Sequence, residues 1–142
     1  MNSDTMITIE IYPVEPVIGG VEYYHNKTVL EKLIFAGSDV PNGTSFGFRI
    51  LGDDMEPELP RGCVAFFRAC LRVENGQVGV FSLNKKLCCK RIDINKDRQR
   101  VRLLSTNPDY EPIIAPDPRN LPTFGQLLGY TMNHLVFQPL TN

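Results

Sequence analysis

Apolar and polar residues alternate with a period of two in several short stretches, which is the pattern of strands with one buried face. The clearest stretch is residues 6–12, where isoleucines alternate with threonine and glutamate. Other apolar stretches predict strands at residues 46–51, 63–68, 78–83, 87–94, 101–104 and 127–132, with 135–137 as an extension of the last. Residues 29–35 fit a strand or a short helix, because periodicity alone does not decide. The pattern predicts a mainly β fold of short strands with little helix.

Residues that favour tight backbone bends separate these stretches. The turn clusters lie at residues 37–42, 74–77, 84–86 and 107–110, and a proline-rich loop covers residues 112–122. Asn75-Gly76 predicts a hairpin turn between the strands on either side of it. The acidic residues before Pro57 fit a helical turn.

The chain has 142 residues, a formal net charge of −1 and a sequence pI near 6.1. We expect one domain over residues 1–142, in which residues 1–16 form an N-terminal strand or arm. A domain that binds nucleic acid usually carries a basic surplus, so the charge argues against direct nucleic-acid binding by this chain alone. The basic residues of one stretch alternate with other residue types, and we interpret them as the solvated end of a hairpin. They are Lys96, Arg98, Arg100 and Arg102.

The cysteines lack the spacing of metal ligands, and the histidines lie far from them in sequence. These residues are Cys63, Cys70, Cys88, Cys89, His25 and His134. Cys88 and Cys89 are adjacent, so in a strand they point to opposite faces. We therefore expect no metal or other cofactor, and free thiols in a reducing cytoplasm. No apolar stretch approaches the length of a membrane span, so we expect a cytoplasmic protein with no membrane contact.

Six short motifs follow one another in order along the chain. They are Gly52-Asp53-Asp54-Met55-Glu56-Pro57, Arg61-Gly62-Cys63-Val64, Asn75-Gly76-Gln77-Val78-Gly79-Val80, Cys89-Lys90-Arg91-Ile92, Asn107-Pro108-Asp109-Tyr110 and Leu128-Gly129-Tyr130. Together they resemble the peptidase domain of LexA-type repressors, UmuD-like proteins and lambda-type phage repressors, whose first motif is Gly-Asp-Ser-Met-x-Pro. The resemblance covers residues 17–132. It implies a signal-peptidase-like β-rich domain of short twisted strands.

The resemblance places Asp54 at the position of the nucleophilic serine and Lys90 at the position of the general base. The residues that support this first motif and the glycine after it are Gly52, Asp53, Met55, Pro57 and Gly62. A serine hydroxyl needs a base to remove its proton, and a lysine can serve only when it is neutral. Burial in an apolar strand disfavours the ammonium, and residues 87–92 form such a strand around Lys90.

Asp54 changes this chemistry, because a carboxylate beside Lys90 stabilises the ammonium. We therefore expect an Asp54–Lys90 ion pair, which leaves neither a hydroxyl nor a neutral base. Two other interpretations stay open. Asp54 caps a helical turn, or a serine enzyme has been altered at this position.

Proteins of this kind cleave themselves at an Ala-Gly or Cys-Gly bond well before the serine. In this chain Gly19-Gly20 lies at a similar spacing, 34 positions before Asp54 counted from Gly20 (54 − 20). Small residues allow a nucleophile to approach the backbone closely, so Gly19-Gly20 is the cleavage-site candidate, with a flexible turn as the alternative. Ala36-Gly37 is only 17 positions before Asp54 (54 − 37) and lies too close.

Repressors of this kind carry an N-terminal helix-turn-helix domain, and only 16 residues precede the matched region here. We therefore expect no helix-turn-helix domain in this chain. The first hypothesis is a catalytically silent regulatory and dimerisation domain of a transcriptional repressor or phage-derived regulator. The resemblance implies a homodimer, with a recombinase filament of the SOS response or a phage or host regulator as a partner. The second hypothesis is a self-cleaving serine–lysine (S24-like) peptidase altered at Asp54. A membrane-associated signal peptidase relative is a third, disfavoured by the lack of an apolar anchor.

Overall fold

Strands of four to ten residues, with one shorter edge strand, make up half of the described chain. The computed structural model describes residues 5–12, 31–84 and 86–133. The strands are β1 (Met6–Tyr12), β2 (Glu31–Ala36), β3 (Phe46–Arg49), β4 (Val64–Ala69), β5 (Val78–Leu83), β6 (Lys86–Asn95), β7 (Arg100–Leu104), β8 (Ile113–Ile114) and β9 (Thr123–Thr131). A short 3-10 helix occupies Gly37–Asp39. The mainly β fold predicted from the alternation is confirmed.

These strands form one hydrogen-bonded sheet in the order β2-β1-β3-β4-β9-β5-β6-β7-β8. Neighbouring strands pair antiparallel except β1 and β3, which pair parallel. Within the described part of the chain, no helix is long and apolar enough to cross a membrane.

Most strand predictions agree with the structure within a few residues. The first strand has the predicted bounds, and the ambiguous segment after residue 30 is a strand. The predicted strand at residues 46–51 ends at Arg49 instead, because the chain turns away to form the loop that carries Asp54. The last strand begins at Thr123, four residues before the predicted start and directly after the predicted proline-rich loop, and β8 lies inside that loop. The predicted extension at residues 135–137 lies outside the described residues.

The hairpin predicted at residues 74–77 is wrong, although the turn itself exists. Gln77 donates its backbone N–H to the carbonyl of Glu74 over 3.0 Å, and Gly76 has the positive φ of such a turn. The strands on either side of it, β4 and β5, do not pair, because β9 lies between them and bonds to both. The local residues therefore set the turn, and a distant strand sets the pairing.

Three buried clusters fill the core, and one of them holds the loop that carries Asp54. This first cluster combines aromatic residues of β3 and β4 with Met55, Leu59 and Cys89, all nearly inaccessible to solvent. Cys88 packs instead against a different cluster, built around Phe81 and Leu103. The predicted opposite orientation of the two adjacent cysteines is confirmed. Residue 90 is two positions from Cys88 in β6, so its side chain lies on the same face of the strand as that of Cys88.

Candidate functional site

The loop between β3 and β4 is shaped by buried side chains that lie on either side of Asp54. Met55 and Leu59 are each 1% exposed, and the backbone N–H of Leu59 donates to the carbonyl of Met55 over 2.8 Å. The predicted helical turn therefore amounts to this bond and one from the N–H of Glu56 to the carbonyl of Asp53 over 3.2 Å, in a loop whose Glu56–Pro57 peptide is cis. With its neighbour Met55 in the core, Asp54 remains half-buried at the surface of the loop.

Gly62 closes this loop at the start of β4. Its backbone N–H donates to the carbonyl of Ile50 over 2.7 Å, and Ile50 donates to the carbonyl of Cys63 over 3.0 Å. Gly62 has a φ of +91°, which L side chains rarely adopt. The glycine before the strand thus returns the chain to the sheet directly after the loop that carries Asp54.

Lys90 lies in the middle of β6 and contacts Asp54 directly. Its Nζ is 2.5 Å from Asp54 Oδ2, across 36 positions of sequence. The lysine side chain is 9% exposed and the aspartate side chain 29% exposed. The ion pair predicted from the sequence is present, so the helix-capping interpretation is not needed to account for this carboxylate.

Ser105 provides a second oxygen for the same ammonium, and sequence reasoning missed it. Lys90 Nζ donates to Ser105 Oγ over 2.6 Å. In the β6–β7 pairing Arg91 faces Leu104, so Ser105 follows as the position opposite Lys90. The hairpin end predicted around Lys96 was the available signal, because residues at equal distances on either side of a hairpin turn face each other. This register places position 105 opposite Lys90.

The loop after β7 binds the backbone of the loop that carries Asp54. The N–H of Asn107 donates to the carbonyl of Asp54 over 3.0 Å, and Asn107 Nδ2 donates to the carbonyl of Asp53 over 3.1 Å. Tyr110 Oη donates to Asp53 Oδ1 over 2.5 Å. Asn107 and Tyr110 are the first and last residues of the Asn-Pro-Asp-Tyr motif, and their hydrogen bonds hold the loop of Asp54 in place.

Tyr110 also faces the lysine. Lys90 Nζ lies 5.8 Å from the centre of the Tyr110 ring, within the range of a cation–π contact. The hydrogen bond to Asp53 raises the pKa of the Tyr110 hydroxyl, because the bond is lost when the phenol ionises. The ring is therefore a neutral aromatic neighbour of the ammonium.

A second ion pair lies next to the first. Arg91 Nη2 contacts Glu58 Oε1, and Thr106 Oγ1 donates to the same carboxylate oxygen over 2.8 Å. Burial raises the pKa of Glu58, but the hydrogen bonds from Arg91 and Thr106 outweigh it and hold this pKa below its ordinary value. Lys90 and Arg91, which are adjacent in β6, thus both bind the loop that carries Asp54. Thr106 and Asn107, which are adjacent after β7, bind the same loop.

The Asp54–Lys90 pair opens onto a cleft of about 430 Å³ between the end of β3 and the start of β6. Apolar side chains, among them Phe48, Leu87 and Tyr110, make up much of its wall. Gly52 lies beside the carboxylate, and a Cβ at this position would be 3.3 Å from Asp54 Oδ1. The charged pair therefore lies at the edge of a cleft whose wall is largely apolar.

The thiols in the cleft wall are poor nucleophiles. Burial raises the pKa of Cys88 to about 12, and it raises the pKa of Cys89 well above its ordinary value. A thiol reacts as its thiolate, so neither cysteine replaces a missing serine. Among the described residues no group of three or more His, Cys, Asp or Glu side chains could hold a metal ion. The cleavage-site candidate Gly19-Gly20 and both histidines lie outside the described residues.

Comparison with known proteins gives one clear relationship. A comparison with curated proteins finds no match. A comparison with protein families matches residues 14–128 to the family described as Peptidase S24-like. The match spans most of the chain, including Asp54, Lys90 and the loop of Tyr110. The chain therefore belongs to the Peptidase S24-like family.

Proposed function

We propose that this chain is a catalytically silent S24-like domain that acts as the regulatory and dimerisation half of a repressor or phage-derived regulator. The observation that carries the proposal is the 2.5 Å contact between Asp54 and Lys90. We assign Asp54 to the position of the nucleophile and Lys90 to that of the general base.

Acyl transfer at this site would need a hydroxyl and a neutral amine. Asp54 offers a carboxylate, and its charge stabilises the ammonium of Lys90. Attack of the carboxylate on an amide would produce a mixed anhydride, which is less stable than the ester formed by a hydroxyl. Ser105 carries a hydroxyl beside Lys90, but it is not among the described residues that line the cleft. Neither oxygen meets the requirements of the serine–lysine mechanism.

The direct test is incubation of the purified chain in alkaline buffer, which increases the neutral fraction of a lysine base. S24-like repressors cleave themselves under such conditions. Intact-mass spectrometry should find a chain that stays whole. Fragments that end and begin at Gly19 and Gly20 would contradict the proposal.

The second candidate is a self-cleaving serine–lysine peptidase whose nucleophile has been altered. The burial of Lys90 and the retained cleft favour it, because a silent domain needs neither. Asp54→Ser tests it, with Asp54→Ser/Lys90→Ala as the matched control. Cleavage by the first variant and not by the second would mean that Asp54 alone silences the site. An inert Asp54→Ser variant that folds normally would favour long-standing loss of the peptidase function.

The proposed dimer would form through the C-terminal strand. Tyr130, near the end of β9, and Met132, just after it, are 45% and 52% exposed and form a pair of neighbouring exposed apolar side chains. Equilibrium sedimentation should find a dimer, and Tyr130→Lys should weaken it. A monomer at all concentrations would exclude the dimerisation role.

All four cysteines are free thiols, in accord with a reducing compartment such as the cytoplasm.

A regulatory domain of this kind would act through protein partners, such as a recombinase filament or a phage or host regulator. The net charge of −1 supports protein partners over direct DNA contact. Salt-sensitive retention of duplex DNA by the purified chain would contradict this part of the proposal.

A further inference from the structure

The end of the β6–β7 hairpin and the loop at residues 116–119 enclose a groove that the proposed function does not use. Its volume is about 880 Å³, and it lies apart from the cleft of Asp54 and Lys90, sharing no lining residue with it. The charged side chains in its wall are Lys96, Arg100, Arg119 and Asp117. Three cations face one carboxylate there, although the chain as a whole carries a net charge of −1.

The one carboxylate in the groove neutralises little of this charge. Asp117 Oδ1 accepts the backbone N–H of Arg119 over 3.0 Å, which shapes the loop. The guanidinium of Arg119 lies 3.9 Å from the same oxygen, and its side chain is 93% exposed. A pair this long and this exposed contributes little attraction, so Arg119 remains available to another anion.

Arg100 is the strongest sign of a missing acceptor. Its Nε is buried and has no hydrogen-bond partner among the described residues. Arg102, two positions along on the same face of β7, instead binds Asp93 on β6 through its Nε over 2.9 Å. The residue opposite Arg100 is Asn95, whose Oδ1 already accepts the N–H of Arg98. β6 therefore supplies a carboxylate, Asp93, for Arg102, whereas the residue of β6 opposite Arg100 is an asparagine.

We propose that this groove binds a small oxyanion, a phosphate group that is either free or carried as a monoester by a small molecule. A phosphate oxygen would accept from the guanidinium of Arg100, whose buried Nε has no hydrogen-bond partner among the described residues. Guanidinium groups bind phosphate with two parallel hydrogen bonds, and Lys96 and Arg119 supply further positive charge from two sides of the groove. The restricted basic area favours a small anion over a nucleic acid, which needs an extended basic surface.

The test is a titration of the full chain, labelled with ¹⁵N, with inorganic phosphate at constant ionic strength, using chloride as the reference anion. Phosphate should produce saturable shifts in the backbone amides of residues 95–101 and of Asp117, Arg119 and Asn120. Phenyl phosphate in a parallel titration identifies the carrier: tighter binding than phosphate indicates a monoester, and equal binding indicates the free ion. Absence of saturable shifts, or equal shifts with chloride, would overturn the proposal.

Arg100→Gln should weaken phosphate binding by ~10-fold or more, the effect of losing a charge-assisted hydrogen bond. Arg98→Gln is the matched control, because it removes the same charge from the same hairpin and Arg98 does not line the groove. Arg119→Gln, on an exposed loop, tests the site independently if Arg100→Gln folds poorly. Equal weakening by Arg98→Gln would mean a general effect of charge and would contradict a defined site. Tighter, salt-sensitive binding of a duplex oligonucleotide would also contradict it.

Discussion

Ser105 faces Lys90 across the β6–β7 hairpin, with its Oγ 2.6 Å from the lysine Nζ. The ammonium thus donates to a hydroxyl on one strand and to the carboxylate of Asp54 on a loop. Because the lysine side chain is only 9% exposed, these two oxygens replace most of the water that an ammonium would otherwise bind. The stability of the site should therefore depend on which of the two oxygens is removed.

Replacement of Asp54 by alanine should cost more stability than replacement of Lys90 by methionine. Asp54→Ala leaves a buried ammonium with one uncharged partner, and we expect a loss of about 2–4 kcal/mol in the free energy of unfolding. Lys90→Met fills the same space with an apolar side chain and leaves a carboxylate that can reach water, so we expect about 1 kcal/mol or less. Urea denaturation measures both. The reverse order would mean that the ammonium is not the costly partner.

Ser105 should be energetically coupled to Asp54 through the lysine between them. Ser105→Ala alone removes one hydrogen bond to a charged group, and we expect a loss of about 1–2 kcal/mol. In the Asp54→Ala background the same change removes the last described acceptor of Lys90, so its cost should be larger. A double-mutant cycle by urea denaturation gives the coupling energy. Additive losses would indicate that Ser105 does not share the ammonium with Asp54.

Glu58 should make the protein less stable in acid. Its pKa is held below the ordinary value of 4.5 in the folded state, where Arg91 and Thr106 bind the ionised form. Its contribution is therefore present above the unfolded pKa and is lost as the pH falls through the folded pKa. The free energy of unfolding measured from neutral to acid pH should fall less steeply in Glu58→Gln. Glu10→Gln, on an exposed position of β1, is the control and should leave the slope unchanged.

Gly125 should not tolerate a side chain, because β9 approaches its neighbours closely there. A Cβ at Gly125 would lie 2.8 Å from Phe46 Cζ and 3.0 Å from the backbone oxygen of Arg68. Gly125→Ala should lower the free energy of unfolding by about 1–3 kcal/mol, since a backbone atom cannot move aside. Gly129→Ala is the matched control on the same strand, where the nearest atom is Pro41 Cγ at 3.3 Å. Equal effects of the two changes would argue against this packing.

The buried thiols should react slowly. Burial raises the pKa of Cys63 and of Cys88 to about 12, and that of Cys89 also lies well above its ordinary value. Iodoacetamide at mildly alkaline pH should therefore leave these three residues largely unmodified in the folded protein and alkylate them in urea. Peptide mapping by mass spectrometry identifies the sites. Rapid labelling of Cys89 in the folded chain would contradict its burial in the core.

Much of the fold could be predicted because the relevant signals are local. The alternation in β1 indicates one buried face, and β6 pairs with β5 and with β7, its neighbours in sequence. The hairpin predicted at residues 74–77 failed because the partner of β4 is β9, which lies far away in sequence. No property of Asn75-Gly76 could report that a third strand enters between the two that it connects.

The motifs of the sequence pointed to Asp54 and Lys90, whereas the other residues that contact this pair are known only from the folded sheet. The resemblance places these two residues at the nucleophile and base positions of one site, and a carboxylate beside a lysine is expected to form an ion pair with it. Only the folded sheet brings in Ser105, Asn107 and Tyr110, since their roles depend on register and on the path of a loop after β7. The same holds for Arg100, whose missing acceptor appears only when the strand opposite it is known. The chemistry of a side chain follows from its residue type, whereas its partners follow from contacts between segments that are distant in sequence.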